Sequence, residues 1–343
     1  MTLPGQIQRA TGLDATTRAE VLTLLHEAGD ADGTYPLSEH VVLHLRYGGD
    51  APAVHLLVRA DQPDRTLVGY AHVDPTDPVE GTSAELVVHP MYRRRGLGRA
   101  LVRAAMQVAD EGSALPGRLR VWAHGDHPSA NALALSLGLE RRRALLQMRR
   151  SLFAAVPEPA LPPGVRLRSF RPGDDDAAWL ALNAEAFVDL PDQGGWTSTD
   201  LRARLAEPWF DPAGFLLAER VADGALLGFH WTKVHGAVPT DPQHHAGDGA
   251  HAHEPIGEVY VLGVTPAAAG SGLGAALTLA GLRYLRGIGL DQAMLYVDED
   301  NPRAVALYRR LGFSRWSTDI CFVTVGATGT VPSSASGGYL ITE

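Results

Sequence analysis

Val264-Thr265-Pro266-Ala267-Ala268-Ala269-Gly270-Ser271-Gly272-Leu273-Gly274 ends an apolar run at a proline, then crosses a glycine-rich turn into Ala275-Ala276-Leu277-Thr278-Leu279. That order reads as a strand, a tight turn and a helix. The same order stands 176 residues earlier, where Val88-His89-Pro90 leads into Arg93-Arg94-Arg95-Gly96-Leu97-Gly98. A second block repeats at an offset of 174: Asp126-His127-Pro128 through Leu137-Gly138-Leu139, and Asp300-Asn301-Pro302 through Leu311-Gly312-Phe313. Two blocks in one order at nearly one spacing mean two copies of one fold.

Working outward, each copy opens with an amphipathic helical stretch, Thr16 to Ala28 and Asp174 to Phe187. Strand-like runs follow at Val54 to Arg59 and Leu67 to Val73, and at Phe215 to Glu219 and Leu226 to Val234. After the glycine turn come helices over Gly98 to Ala109 and Gly274 to Arg286, then strands over Arg118 to Ala123 and Gln292 to Val297. A short helix and a last strand close each copy. Antiparallel strands leading into a parallel crossover predict an α/β fold, a mixed central sheet flanked by helices. Ala154 to Gly164 is proline-rich and reads as a stiff linker. The expected division is a first domain over 1–153, a linker over 154–164, a second domain over 165–325 and a disordered Gly/Ser/Thr-rich tail over 326–343.

Composition narrows the function. A chain of 343 residues is long enough for about two domains with real cores. A net charge of −9 argues against a surface built to grip nucleic acid or an anionic membrane. No apolar run is long enough for a membrane span and the start lacks a leader pattern, so neither a span nor a signal peptide is expected; a cytoplasmic protein is the expectation from its single thiol, and a monomer is expected beside it. The only cysteine, Cys321, cannot build a disulfide framework or a zinc site, and no metal is expected. Of 30 cationic side chains only Lys233 is a lysine, which suggests a place where a compact ammonium is wanted. The second copy also carries an insertion with His235, His244, His245, His251 and His253 among Pro, Gly and Asp; their spacing matches no common ligand pattern, and a solvated hairpin loop is expected.

The glycine turn is where chemistry enters. Amides at a helix start have no intrahelical partner, the helix dipole is positive there, and glycine lets a phosphate approach the backbone. Neither copy has the Gly-Lys-Ser/Thr of a P-loop or the third glycine of a dinucleotide fingerprint. The wider pattern is Val264-Thr265-Pro266, Gly272-Leu273-Gly274, then Asn301-Pro302-Arg303-Ala304-Val305-Ala306-Leu307-Tyr308 ending in Leu311-Gly312-Phe313. It resembles the GCN5-related N-acetyltransferase (GNAT) superfamily. The resemblance implies a sheet whose two central parallel strands splay apart to admit acetyl-CoA. Further matches stand at Pro191-Asp192-Gln193-Gly194-Gly195-Trp196, His230-Trp231-Thr232-Lys233-Val234-His235 and Gly257-Glu258-Val259-Tyr260, in a resemblance that runs from about Asp14 to Phe322. They are similar to the tandem members of that superfamily that serve mycothiol biosynthesis.

That resemblance implies acetyl transfer from acetyl-CoA to the cysteinyl amine of cysteinyl-glucosaminyl-inositol. It implies donor contacts at Leu262, Gly263 and Val264, at Ala269 through Ala275 (Ala269, Gly270, Ser271, Gly272, Leu273, Gly274, Ala275) and at Asn301 through Ala306. In the first half it implies contacts at Leu86, Val87 and Val88, and at Arg94, Arg95, Gly96, Leu97, Gly98 and Arg99. Acceptor contacts are implied at Glu39, Asp192, Lys233, Glu258 and Tyr296. At the 176 offset Glu258 falls opposite Thr82, and at the 174 offset Tyr308 falls opposite Ala134. Chemistry is therefore expected in the second half alone, with Glu258 as base, Tyr308 as acid and the Val264 amide at the oxygen that gains charge. Two alternatives stand beside this: an acetyltransferase for a peptide amine or an aminoglycoside, and a non-catalytic acetyl-CoA sensor. One departure is plain: Ala269-Gly270-Ser271 stands where the superfamily usually has Gln or Arg, whereas the first half keeps Arg93-Arg94-Arg95.

Overall fold

A computed structural model describes residues 6–47, 53–61, 65–77, 80–112, 115–188, 191–235 and 255–324. The expected tail over 326–343 and the insertion from 236 to 253 lie outside the described residues. In chain order the elements are β1 (Gln8–Ala10), α1 (Ala15–Asp32), α2 (Glu39–Tyr47), β2 (Val54–Arg59), β3 (Leu67–Asp74), β4 (Thr82–Val88), α3 (Leu97–Gly112), β5 (Leu119–Ala123), α4 (Pro128–Ser136) and β6 (Leu139–Ser151). They continue with β7 (Val165–Ser169), α5 (Asp176–Ala186), α6 (Pro191–Gly194), α7 (Ser198–Leu205), β8 (Phe215–Arg220), β9 (Leu226–His235), β10 (Ile256–Val264), α8 (Leu273–Gly287), β11 (Gln292–Asp298), α9 (Pro302–Arg310) and β12 (Ser314–Thr324).

Local chemistry sets several of these boundaries. The Asp14 carboxylate accepts from the Thr17 amide to start α1, and Gly33 ends that helix in the left-handed region. Asn301 accepts from the Ala304 amide and Pro302 takes the first position of α9, where its missing N–H costs nothing. In α7, Thr197 and Asp200 close a reciprocal capping box.

Two compact units result, and they interleave along the chain. The first holds the residues up to Ala144 and regains the chain at Thr318; the second holds Leu145–Ser317. In the first unit the strand order is β1-β2-β3-β4-β5-β12. The last strand pairs antiparallel with β5, from Ile320 opposite Ala123 to Val323 opposite Arg120. Ile320 and Phe322 join Leu101, Leu119 and Val121 in its core. In the second unit the order is β6-β11-β10-β9-β8-β7. Leu145 to Ser151 of β6 pair antiparallel with β11, and Leu146 and Met148 enter that core. Each unit is thus closed by a strand from the other half of the sequence. The division expected from the linker and this division by packing differ at those two strands.

The position of the site follows from where the parallel ladders stop. Between β10 and β11 the pairing covers Gly257 and Glu258 only, although β10 runs on to Val264. A bulge between Val259 and Val261 shifts the register against β9 at that point. Bulges bend a strand and re-aim its side chains. Between β4 and β5 the pairing lasts from Thr82 to Glu85, and Leu86, Val87 and Val88 run beyond it.

Candidate active site

In the second unit Glu258 is the last β10 residue paired with β11, and it is 2 % exposed. Its cross-strand partner on β9 is Lys233, the single lysine. The Lys233 ammonium lies 4.9 Å from the centre of the Trp209 ring and 5.3 Å from that of Tyr260. Ring faces carry partial negative charge and steady a cation there. From β11, the Tyr296 hydroxyl accepts a hydrogen bond from Gln147 Nε2 at 2.7 Å. Gln147 belongs to β6, so a residue of the first half of the sequence orients a residue of this site. Nothing in the sequence pattern announces that contact.

His235 was expected in a solvated hairpin loop, and the structure corrects this. It is the last residue of β9, and its Nε2 lies 2.6 Å from Glu258 Oε2. A strand one residue longer than the expected Leu226 to Val234 carries the ring back over the carboxylate.

Beyond Glu258 the open edge of β10 supplies backbone. The Thr265 amide donates to the Leu227 carbonyl at 2.9 Å. Antiparallel strands alternate their bonding direction, so the Val264 amide, one residue back, faces the β11 side. Leu262 and Val264 are buried. Gly263 has a packing reason as well: a Cβ there would lie 2.7 Å from the Phe229 ring and 3.0 Å from Phe187. The exposed turn then bends through Gly270 at φ +73° and Gly272 at φ +83°. Ser271 Oγ donates to the Ala268 carbonyl at 2.6 Å and accepts from the Leu273 amide. The amides of the first α8 turn, around Gly274 and Ala275, follow. Such a turn suits a pyrophosphate.

Tyr308 sits in the last turn of α9, 2 % exposed, with its ring edge-on to Phe313 at 5.6 Å. Asn301 caps that helix, Arg303 and Ala306 are exposed, and Ala304 and Val305 are buried. Asp192 falls in α6, and its side chain lies outside the described part.

The first unit places Glu39 at the first position of α2, half-buried. Its neighbour Ser38 donates to Glu85 from both its amide, at 2.5 Å, and its hydroxyl, at 2.7 Å. Glu85 also meets His124 Nε2 at 3.3 Å, and His124 Nδ1 meets Asp319 of β12 at 2.8 Å. Burial alone disfavours the His124 cation, but the Asp319 charge and the bonds to Asp319 and Glu85 outweigh it and push its pKa up to about 10. Burial opposes the Glu85 charge too, yet His124 and the two Ser38 donors hold its carboxyl below the usual carboxylate range. Glu85 is the last β4 residue paired with β5, so an acidic side chain stands where the first ladder opens although none is aligned with Glu258. The bulge makes Ser83, not Thr82, the strand counterpart of Glu258, since Thr82 pairs with Leu119 where Gly257 pairs with Ala293.

The first-unit turn differs from its partner in one informative way. Arg94, at φ +63°, occupies the left-handed position that Gly270 takes in the second unit. Arg93 is held by Asp32, at 2.6 and 2.7 Å, and Arg95 lies over the Tyr92 ring. Gly96 has φ +86°, Leu97 and Gly98 begin α3, and Arg99 donates to Ser136. Among the described residues no group of side chains could hold a metal ion, and no helix is long and apolar enough to cross a membrane.

The family model for the acetyltransferase (GNAT) family matches residues 22–139 and 178–313, one match in each copy. The chain belongs to this family. A protein of Salinispora arenicola named mycothiol acetyltransferase is 58% identical over 316 residues, covering 92% of this chain and 95% of that one. One of the same name from Acidothermus cellulolyticus is 57% identical over 302 residues, covering 88% and 89%. Among solved structures, a GCN5-related N-acetyltransferase from Sphaerobacter thermophilus aligns with TM-score 0.64 at 25% identity, covering 94% of this chain and 96% of that one. A tandem GNAT protein from the clavulanic acid biosynthesis pathway aligns with TM-score 0.67 at 21% identity over 95% and 100%, and shares the fold. The GNAT fold explains the opened ladder in both units, and acetyl-CoA is the donor that this family uses.

Proposed function

We propose that the second unit transfers the acetyl group of acetyl-CoA to the cysteinyl amine of cysteinyl-glucosaminyl-inositol, the closing step of mycothiol biosynthesis. The observation that carries this reading is Glu258, a buried carboxylate at the residue where the β10–β11 ladder opens. Strong identity to two mycothiol acetyltransferases along most of the chain supports the choice of acceptor.

The net reaction turns an ammonium and a thioester into an amide, a thiol and one released proton. Glu258 supplies the negative charge that draws off the ammonium proton, directly or through water. The amine nitrogen then bonds to the thioester carbon, and the Val264 amide donates toward the oxygen that gains charge. As the carbon–sulfur bond breaks, the Tyr308 hydroxyl gives its proton to the sulfur and is refilled by the second nitrogen proton. Lys233 and Tyr296 offer polar contacts to the acceptor's hydroxyls, together with Asp192. The turn from Ala269 to Ala275 and the α9 start from Asn301 to Ala306 hold the donor. Backbone amides take the place of the missing arginine side chains.

The first unit, in this reading, binds CoA along Leu86 to Val88 and Arg94 to Arg99 without turning it over. The protein acts as a cytoplasmic monomer with no nucleic-acid or membrane partner. The test is a direct assay with acetyl-CoA and one of three acceptors: the cysteinyl pseudodisaccharide, its des-cysteinyl form, or a peptide amine. Acetylation of the first alone is expected. Acetylation of the peptide alone would remove the acceptor assignment, and no turnover with any amine would favour the sensor.

A further inference from the structure

Glu258 has one side-chain partner that acetyl transfer, as drawn above, leaves unused. We propose that His235 and Glu258 work as a carboxylate–imidazole dyad in which Nδ1 of His235, rather than the carboxylate itself, carries away the amine's proton. The inference rests on acetyl transfer at Glu258.

Geometry makes the case. Nε2 of His235 lies 2.6 Å from Glu258 Oε2, so the ring N–H on that side donates to the carboxylate. A hydrogen bond from one ring nitrogen fixes the tautomer and leaves the other with its lone pair. Among the described residues nothing else bonds the ring, which leaves Nδ1 able to accept. Exposure separates the two members. The Glu258 side chain is 2 % exposed and that of His235 29 %. A carboxylate so enclosed has no direct route by which to hand a proton to solvent on every turnover, whereas the imidazole reaches from the buried carboxylate to the surface.

The charges around the pair fit this division. Lys233 and Tyr260 share the sheet face from β9 and β10, Tyr296 from β11 and Arg149 from β6, and Arg204 of α7 donates to the Tyr260 hydroxyl at 2.7 Å. Glu258 is the acidic member of that group, and its charge stabilises the imidazolium that forms, as a buried carboxylate does for a catalytic histidine elsewhere. Each step balances. The ammonium N–H bond breaks and an N–H bond forms at Nδ1; Glu258 stays ionised; the imidazolium then releases that proton to water.

The experiment measures kcat and KM for His235→Gln and His235→Ala between pH 6 and 9, with the cysteinyl pseudodisaccharide as acceptor. Acetyl-CoA affinity serves as the check that the variants are folded. The dyad predicts a kcat loss of roughly 10²-fold or more in both variants near neutral pH, within what a positioned acid–base group contributes. It predicts an unchanged KM for acetyl-CoA. Free imidazole should restore part of the kcat of His235→Ala, in proportion to its unprotonated form. Wild-type kcat and pH profile in His235→Gln would overturn the dyad, leaving His235 as a mere support. So would a loss that imidazole leaves untouched at every pH. Absence of turnover in the wild-type protein would instead overturn the acetyl-transfer reading beneath it.

Discussion

The two units carry the same opened ladder with opposite uses of a carboxylate beside it. In the first, Glu85 stands at the last paired position, but it accepts from the Ser38 amide, the Ser38 hydroxyl and His124. Those bonds tie the start of α2 to β4, to the segment after β5, and through Asp319 to β12. In the second, Glu258 stands at the last paired position, and among the described residues its side chain bonds one histidine. A carboxylate stabilised by three donors is a poor base, because every bond that holds its charge lowers its affinity for a proton. One copy has spent its acid on structure, and the other has kept it for chemistry. A repeat read from sequence alone gives the framework of both and cannot say which carboxylate is free to react.

The comparison can be pressed in order of expected effect. The largest concerns the strand that each half lends. A fragment of residues 1–153 lacks β12, hence Asp319 and the buried Ile320 and Phe322. Burying two such side chains is worth about 3–6 kcal/mol, which rivals the whole stability of a domain. The fragment should therefore fail to give a cooperative unfolding transition, and the same fragment with residues 314–324 joined by a flexible linker should recover one. A fragment that folds without β12 would make the interleaving incidental.

Next comes the clamp itself. Glu85→Gln leaves the His124 cation short of one counter-charge, and breaking a buried ion pair costs on the order of 3 kcal/mol. Urea unfolding of the full chain should show that loss, with kcat per folded molecule held. The pH dependence has a definite sign. The His124 pKa, raised to about 10, lies above its unfolded value of 6.5. The histidine's contribution is therefore fully present below pH 6.5 and disappears as pH climbs through about 10. His124→Gln should abolish that slope. An unaltered slope would place the alkaline loss elsewhere.

The smallest effect is in the turns. A residue with a Cβ in the left-handed region carries a strain of about 1 kcal/mol. Gly270→Ala should destabilise by about that much, and Arg94→Gly should stabilise by less, since glycine also frees the unfolded chain. Equal and negligible changes at both would mean that the replacement of arginine by glycine at this position has no backbone reason.

Much of this was legible in the sequence. Val54–Arg59 appears as β2 with the expected ends, and the helices after both glycine turns fall within a residue or a few of their expected bounds. Periodicity and caps are local signals, so they mark where elements begin and end. Partners are not local. Leu139–Ser151 and Ser314–Thr324 read as strands without saying which sheet each completes, since alternation is the same in either. The bulge at Tyr260 is likewise invisible, and it moved the counterpart of Glu258 by one residue. His235 was read with its insertion because the residues after it are Gly, Pro and Asp-rich; only the register Ile256–His235 carries it to Glu258. Glu85 is hidden from alignment by offset, which asks for an acid at one position, because it stands two residues beyond Ser83 on the same face of the strand.

The account turns on where the proton leaves the amine, and one measurement reaches it most directly: steady-state acetyl transfer by Glu258→Gln and Glu85→Gln, side by side with acetyl-CoA binding. Glu258→Gln should lose kcat by roughly 10²–10⁴-fold, the span of a lost acid–base group, while still binding acetyl-CoA. Glu85→Gln should keep kcat within about twofold once the folded fraction is counted, as expected of a group outside the chemistry. The reverse pattern, with turnover surviving in Glu258→Gln and vanishing in folded Glu85→Gln, would put the reaction in the other unit.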